Sequence, residues 1–194
     1  MRPAALPESP IEGLRTIELT ASDAPLLQRL FDANPAYFLA VQGEAAGPAQ
    51  ALAELTETPP PDVPWSRVWQ IGFVEPSGRL AAFAGVVADL FAADVCHIGL
   101  FMVDAARQGS GEAQRLFAAL EQWARDHGAL WMRLGVVVGN TRAERFWSRC
   151  GFLPVRLREG YVIGRQTNVV AVLVKPLADR TLEGYLARVA RDRP

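Results

Sequence analysis

A glycine-bearing turn between a strand-like run and a helix-like run constrains this chain most tightly. The turn is Val103-Asp-Ala-Ala-Arg107-Gln108-Gly109-Ser110-Gly111-Glu112-Ala113. His97 to Val103 is an apolar run ahead of it. Ala113 to Arg125 follows as a helix, with Ala113, Leu116, Phe117, Leu120 and Ala124 on one face. Such a turn bares the first amide N–H groups of the helix, which no carbonyl of that helix can satisfy. Those donors and the positive end of the helix dipole favour an anion such as phosphate. Gly109 and Gly111 carry no side chain to obstruct its approach.

The rest of the chain is consistent with a globular α/β protein. Its 194 residues are 50% hydrophobic and 21% charged, enough for one domain with a substantial core. A formal net charge of −1 gives no electrostatic case for nucleic acid or an anionic membrane. Cys96 and Cys150, the only cysteines, sit in apolar runs and read as buried free thiols in a reducing compartment. With two histidines they form no metal-ligand spacing. The proline-rich start does not read as a signal peptide, and no apolar run approaches membrane-spanning length. A cytoplasmic location is the expectation.

Residues 1–12 read as a flexible arm and Leu14 to Leu19 as a short strand. Ser22-Asp23 offers an N-cap for a helix through Leu26, Leu27, Leu30 and Phe31. Asn34-Pro35 breaks it and starts a second helix carrying Tyr37, Phe38 and Val41; Ala49 to Leu55 predicts a third. After the proline run at 59–64, strands are expected at Arg67 to Val74, Leu80 to Leu90 and Val95 to Val103. His127-Gly128 closes the helix after the glycine turn. Leu130 to Val138 is a near-continuous apolar strand, and Asn140 or Thr141 caps a helix burying Ala143, Phe146, Trp147 and Cys150. Leu153 to Arg158 and Val169 to Val174 are two further strands, and a last amphipathic helix carries Leu182, Tyr185, Leu186 and Val189.

Two motifs stand in order within Val95 to Phe152. The turn fits Q-x-x-G-x-A as Gln108, Gly111 and Ala113. The later helix fits N-x-x-A-x-x-F-W-x-x-x-G-F as Asn140, Ala143, Phe146, Trp147, Gly151 and Phe152. Either half alone recurs by chance. Together they resemble the Gcn5-related N-acetyltransferase (GNAT) family over roughly residues 65–175. The resemblance implies an α/β fold: a mixed, mostly antiparallel central sheet of about seven strands, splayed between the fourth and fifth, with helices on both faces. The whole chain, 1–194, would be one acyltransferase domain, with 178–194 a C-terminal helical extension.

The resemblance also implies a ligand, acetyl-CoA or another short acyl-CoA, and a set of roles. Its diphosphate would lie on the amides of Gln108, Gly109, Ser110, Gly111, Glu112 and Ala113. Its pantetheine arm would pair with the edge of Phe101, Met102 and Val103 like an added strand, beside a bulge. Asn140 would hydrogen-bond that arm, and Phe146 and Trp147 would wall the acyl pocket. A backbone N–H at Met102 would stabilise the oxyanion as an amine attacks the thioester. His97 holds the place of a glutamate base found in histone-type relatives, and its ordinary pKa of about 6.5 suits the task. Tyr37 and Phe38 would line the acceptor pocket. The acceptor would be an amine on a small molecule or peptide, with neither nucleic acid nor membrane as partner.

One residue departs from the pattern. Many relatives have a tyrosine that protonates the leaving thiolate where this chain has Trp147, whose indole N–H is no practical acid. Water or Tyr161 could take that role. The same departure supports the alternative, a non-catalytic acyl-CoA-binding sensor or partner subunit. The extra C-terminal helix could serve a homodimer contact. A P-loop is excluded because no Gly-Lys-Ser/Thr follows, and a Rossmann fingerprint is disfavoured by its missing third glycine.

Overall fold

The computed structural model describes residues 5–194. Its seven strands are β1 (Arg15–Glu18), β2 (Arg67–Val74), β3 (Leu80–Ala88), β4 (Val95–Val103), β5 (Trp131–Val137), β6 (Leu153–Ile163) and β7 (Gln166–Pro176). Its helices are α1 (Ala24–Asp32), α2 (Pro35–Gln42), α3 (Gln50–Thr56), α4 (Glu112–Asp126), α5 (Thr141–Arg149) and α6 (Leu182–Arg188). The strands form one sheet in the order β1-β2-β3-β4-β5-β7-β6. Every neighbouring pair is antiparallel except β4 with β5. The mixed, mostly antiparallel sheet with helices on both faces is the architecture expected from the sequence.

Side-chain alternation decides which layer covers which face. Ile71, Phe73, Ala82, Ala84, Cys96 and Ile98 meet Leu116, Phe117, Leu120 and Trp123 of α4 and Trp147 of α5. On the other face Phe83, Leu100 and Met102 meet Leu27, Leu30 and Phe31 of α1 and Phe38 of α2. Farther along that face, Val95, Trp131 and Val174 meet Tyr185 and Val189 of the C-terminal segment. Each large apolar side chain buried in these layers contributes roughly 1.5–3 kcal/mol.

Local chemistry sets the helix ends. Pro25 and Pro35 occupy first turns, where a missing N–H costs nothing. Asn140 accepts from Ala143 N at 3.2 Å and caps α5, and His127 with left-handed Gly128 closes α4. Both cysteines are free and buried.

Two expectations are corrected, and the C-terminal stripe finds its place in the fold. Residues 1–4 lie outside the described residues, but the remainder of the supposed arm is held: Trp123 Nε1 donates to Ala5 O at 2.6 Å and Ile11 is buried against the core. The β6 strand runs to Ile163, past the Arg158 expected, because β7 continues to pair with it through Tyr161↔Asn168 and Ile163↔Gln166. Tyr185 and Val189 on the C-terminal segment face the chain's own sheet, so that apolar stripe is already covered.

Candidate functional site

The two central strands part where the sequence places an isolated glycine. β4 pairs with β5 only from Val95↔Trp131 to Ile98↔Leu134, although β4 continues to Val103 and β5 to Val137. On its other side the register of β4 against β3 skips Gly99: Val86 pairs with Ile98 and Gly85 with Leu100. Gly99 is thus a bulge residue. A bulge bends its strand and raises the local twist, which turns Gly99 to Val103 away from β5. The backbone facing β5 beyond Ile98 is left as an open β-edge, and Phe101, Met102 and Val103 lie on it.

The chain then turns through Asp104, whose carboxylate accepts from Ala106 N at 2.9 Å, into the glycine loop. Gly109 and Gly111 have φ of 87° and 85°, a left-handed backbone that other residues adopt only with strain. Ser110 Oγ donates to Arg107 O at 2.6 Å and accepts from Glu112 N at 3.3 Å, which fixes the bend. The amides of Gly109, Ser110, Gly111, Ala113 and Gln114 reach no acceptor among the described residues. Gln108 holds the loop from beneath: its Nε2 donates to Val103 O at 2.8 Å and to Asn34 Oδ1 at 2.9 Å. Arg107 is taken up by Glu75 at 2.7 Å and Glu112 at 2.8 Å. The positive potential of the loop therefore comes from backbone dipoles, not from a free guanidinium.

This donor set fits a diphosphate, and the unpaired edge beside it fits an extended chain of amide groups. Asn140, capping α5 with its side-chain oxygen, keeps its NH₂ for another acceptor. Trp147 is 7% exposed. It lies edge-on to Phe117 at 5.2 Å and Phe152 at 5.2 Å, while Phe101 stacks on Phe146 at 5.9 Å. These rings form the wall between the β4 edge and α5. Tyr161 is exposed, out on β6.

The geometry argues against His97 as a base. His97 stands opposite Arg133 in the paired part of the sheet, and Arg133 Nη1 lies 3.3 Å from its Nδ1. Burial first, and the guanidinium second, push its pKa down to about 3. A ring this reluctant to hold a proton is a poor proton acceptor. The C-terminal segment holds that arginine: Asp192 receives Arg133 Nε at 2.7 Å, Arg158 Nη2 at 2.7 Å and the Tyr185 hydroxyl at 2.6 Å. Phe38 is also corrected. At 2% exposed, 5.0 Å from the Phe31 ring, it is core and lines no pocket. Tyr37, only partly buried by its surroundings, keeps a place on the α2–α3 side. Burial and the nearby Glu54 carboxylate raise its hydroxyl to about 12.

Sequence reasoning missed Glu54, Gln70 and Gly85, which meet on that side. Isolated glycines at 85 and 99 inside apolar strands were the available signal. Nothing local distinguishes Glu54 from any other helical glutamate.

A single mixed sheet is thus split between its parallel strands, with bare amides at the mouth of the split. The family model described as Acetyltransferase (GNAT) family matches residues 27–152, and the chain belongs to that family. No curated protein matches the chain. Among solved structures, an acetyltransferase from Thermus thermophilus is similar at TM-score 0.63 and 22% identity, covering 84% of this chain and 97% of that one. The ribosomal-protein-S18-alanine N-acetyltransferase from Escherichia coli aligns at TM-score 0.62 and 16% identity, covering 87% and 96%. Ard1 from Thermoplasma volcanium aligns at TM-score 0.61 and 18% identity, covering 86% and 99%. At these identities the likeness carries the fold. Among the described residues no helix is long and apolar enough to cross a membrane.

Proposed function

We propose that the chain is an acyl-CoA-dependent N-acetyltransferase that moves an acetyl group from acetyl-CoA to an amine on a small molecule, peptide or protein, by direct attack in a ternary complex. The observation behind this reading is the pairing of bare amides at Gly109–Gly111, Ala113 and Gln114 with the unpaired β4 edge beyond Ile98. Acetyl-CoA supplies an activated acyl group. The chain's part is to hold it: loop amides receive the diphosphate oxygens, the β4 edge and Asn140 take the pantetheine amides, and Phe146 and Trp147 exclude water from the acyl group. The backbone of Met102, on the free stretch, is the candidate oxyanion donor. Direct attack suits this arrangement because the open face of β4 leaves both reactants beside one strand.

The decisive measurement is coenzyme A binding by calorimetry, with wild type against Gly111→Glu. A carboxylate at the loop would repel the diphosphate, and a side chain there adopts φ of 85° only with strain. We expect affinity to fall at least about 100-fold, a repulsion of roughly 3 kcal/mol. Unchanged affinity in a folded variant refutes the loop assignment. So does thermal stabilisation by ATP or NAD but not by coenzyme A. Buried Trp147 in place of an acid keeps a sensor as the second reading; thiol release across an amine panel separates the two.

A further inference from the structure

Gly85 has no side chain on the α1–α3 face of the sheet, and two oxygens close in on it. A methyl placed on Gly85 would stand 3.0 Å from Glu54 Oε1 and 3.2 Å from Gln70 Oε1. Gln70 is directly across β2 from Gly85, and Leu100, the first residue past the bulge, is directly across on β4. The missing Cβ of Gly99 would point to within 3.8 Å of Gly85 O. These oxygens therefore stand near the origin of the splay, on the side of β4 away from β5.

The hydrogen bonding there is incomplete in one direction. Gln70 Nε2 donates to Glu54 O at 2.7 Å, which fixes the amide with its oxygen toward Gly85. That oxygen has no partner among the described residues, although Gln70 is only 8% exposed. A buried acceptor without a donor costs about 1–3 kcal/mol unless something supplies one. The Glu54 carboxylate beside it is another acceptor. Two acceptors turned toward one glycine call for a ligand bearing at least two N–H donors. A phosphate, a carboxylate or an ether would leave both oxygens unsatisfied.

We propose that Glu54 and Gln70 are the acceptor-amine site of the acyl transfer. Their oxygens receive the N–H groups of a primary amine beside Gly85, and Glu54 takes the proton that the nitrogen sheds. The proposal rests on the acetyltransferase reading above. As the nitrogen lone pair forms the C–N bond, one amine proton passes to Glu54. The C–S bond breaks with its electron pair on sulfur, and the thiolate takes a proton from water. Glu54 then returns its proton to solvent. Amine and thioester become amide and thiol, with no other reactant.

The electrostatics agree. Burial first, and the Glu57 carboxylate second, raise Glu54 to about 7, a value matched to proton exchange near neutrality. Glu57 just past its own helix and Tyr37 on α2 are the titratable groups that face it; β2 and β3 present Gln70 and Gly85. The working form is the ionised one, so kcat/KM must rise with pH through about 7.

Wild type, Glu54→Gln and Gln70→Ala are compared by three measurements. These are calorimetry with coenzyme A, carboxyl carbon-13 NMR titration with and without ethylamine, and thiol release from acetyl-CoA with a panel of alkylamines and alanine-terminated peptides. We expect coenzyme A affinity to stay within about twofold in all three proteins. A carboxyl resonance that titrates near pH 7 should move on addition of ethylamine and be absent from Glu54→Gln. Thiol release should fall about 100-fold or more in Glu54→Gln, with loss of the acid limb. KM for the amine should rise about tenfold in Gln70→Ala. Turnover of Glu54→Gln within about threefold of wild type overturns the proposal and leaves the acetyltransferase reading standing. So does a wild-type Glu54 resonance that ignores ethylamine. Failure of wild type to bind coenzyme A sinks the acetyltransferase reading instead, and the NMR titration still decides whether Glu54 meets an amine.

Discussion

Replacing Asp192 by Asn tests whether the C-terminal segment is part of the folded core. Asp192 is fully buried and accepts four hydrogen bonds: from Arg133 Nε at 2.7 Å and Nη2 at 3.1 Å, Arg158 Nη2 at 2.7 Å and the Tyr185 hydroxyl at 2.6 Å. These bonds and the Arg133 charge hold its carboxyl well below the usual aspartate range, against the opposing effect of burial. Asn keeps the shape but presents an NH₂ to guanidinium donors, and leaves the Arg133 side chain, 8% exposed, without its counter-charge. Breaking a buried pair from one side costs about 3–5 kcal/mol. That is a large part of the roughly 5–15 kcal/mol that holds a domain together. It should appear as a drop in Tm of about 10 °C for a chain of this size.

The assay is urea unfolding at pH 7, with Arg188→Ala as the surface control. Arg188 and Asp94 pair at 3.6 Å with both side chains more than 40% exposed, so this variant should lose under about 1 kcal/mol. The pH sign follows from a depressed carboxylate. Its stabilisation is complete above the ordinary aspartate pKa of 3.8 and is lost as pH falls through the lower folded value. The gap between wild type and Asp192→Asn should therefore be constant from pH 8 to about pH 5 and shrink only in stronger acid. A loss below about 1 kcal/mol at pH 7, or a gap that closes near neutrality, would overturn this account of the C-terminal segment.

Two further variants test neighbouring claims. His97→Ala should leave the pH–rate profile unchanged, because a ring pushed down to about 3 is neutral throughout the working range; a lost limb between pH 6 and 7 would restore it as the base. Gly164→Ala should loosen the tip of the β6–β7 hairpin, where Gly164 has φ of 56° and a methyl would stand 2.8 Å from Gln42 O. We expect a loss of about 1–3 kcal/mol in urea unfolding, and an unaffected midpoint would mean that the tip does not rest on α2.

Much of the fold was legible because its cues are local. Arg67–Val74 and Val95–Val103 match their strands residue for residue, and the second and third helices begin within a residue of their expected starts. The glycine loop was readable because positive φ at Gly109 and Gly111 is a requirement on the residue itself. His97 was misread because its environment is built by residues distant in sequence. Arg133 and Asp192 reach it only once β5 is paired and the last helix has turned back. The full length of β6 was hidden for a similar reason: Gly160 interrupts the run, and pairing with β7 carries the strand on through Tyr161, Val162 and Ile163.

The order of elements, the turn whose amides are left bare, and the family pattern around Gln108 and Asn140 are all written in the linear chain. They follow from backbone sterics and helix-end hydrogen bonding, which act over a few residues. Three-dimensional packing was needed to settle where β4 leaves β5, which histidine stands against a buried arginine, and which glutamate meets Gln70 beside Gly85. Burial and charge around a side chain depend on neighbours that only folding assembles. Glu54 and Gln70 therefore became visible as a pair only when β2, β3 and α3 were in place.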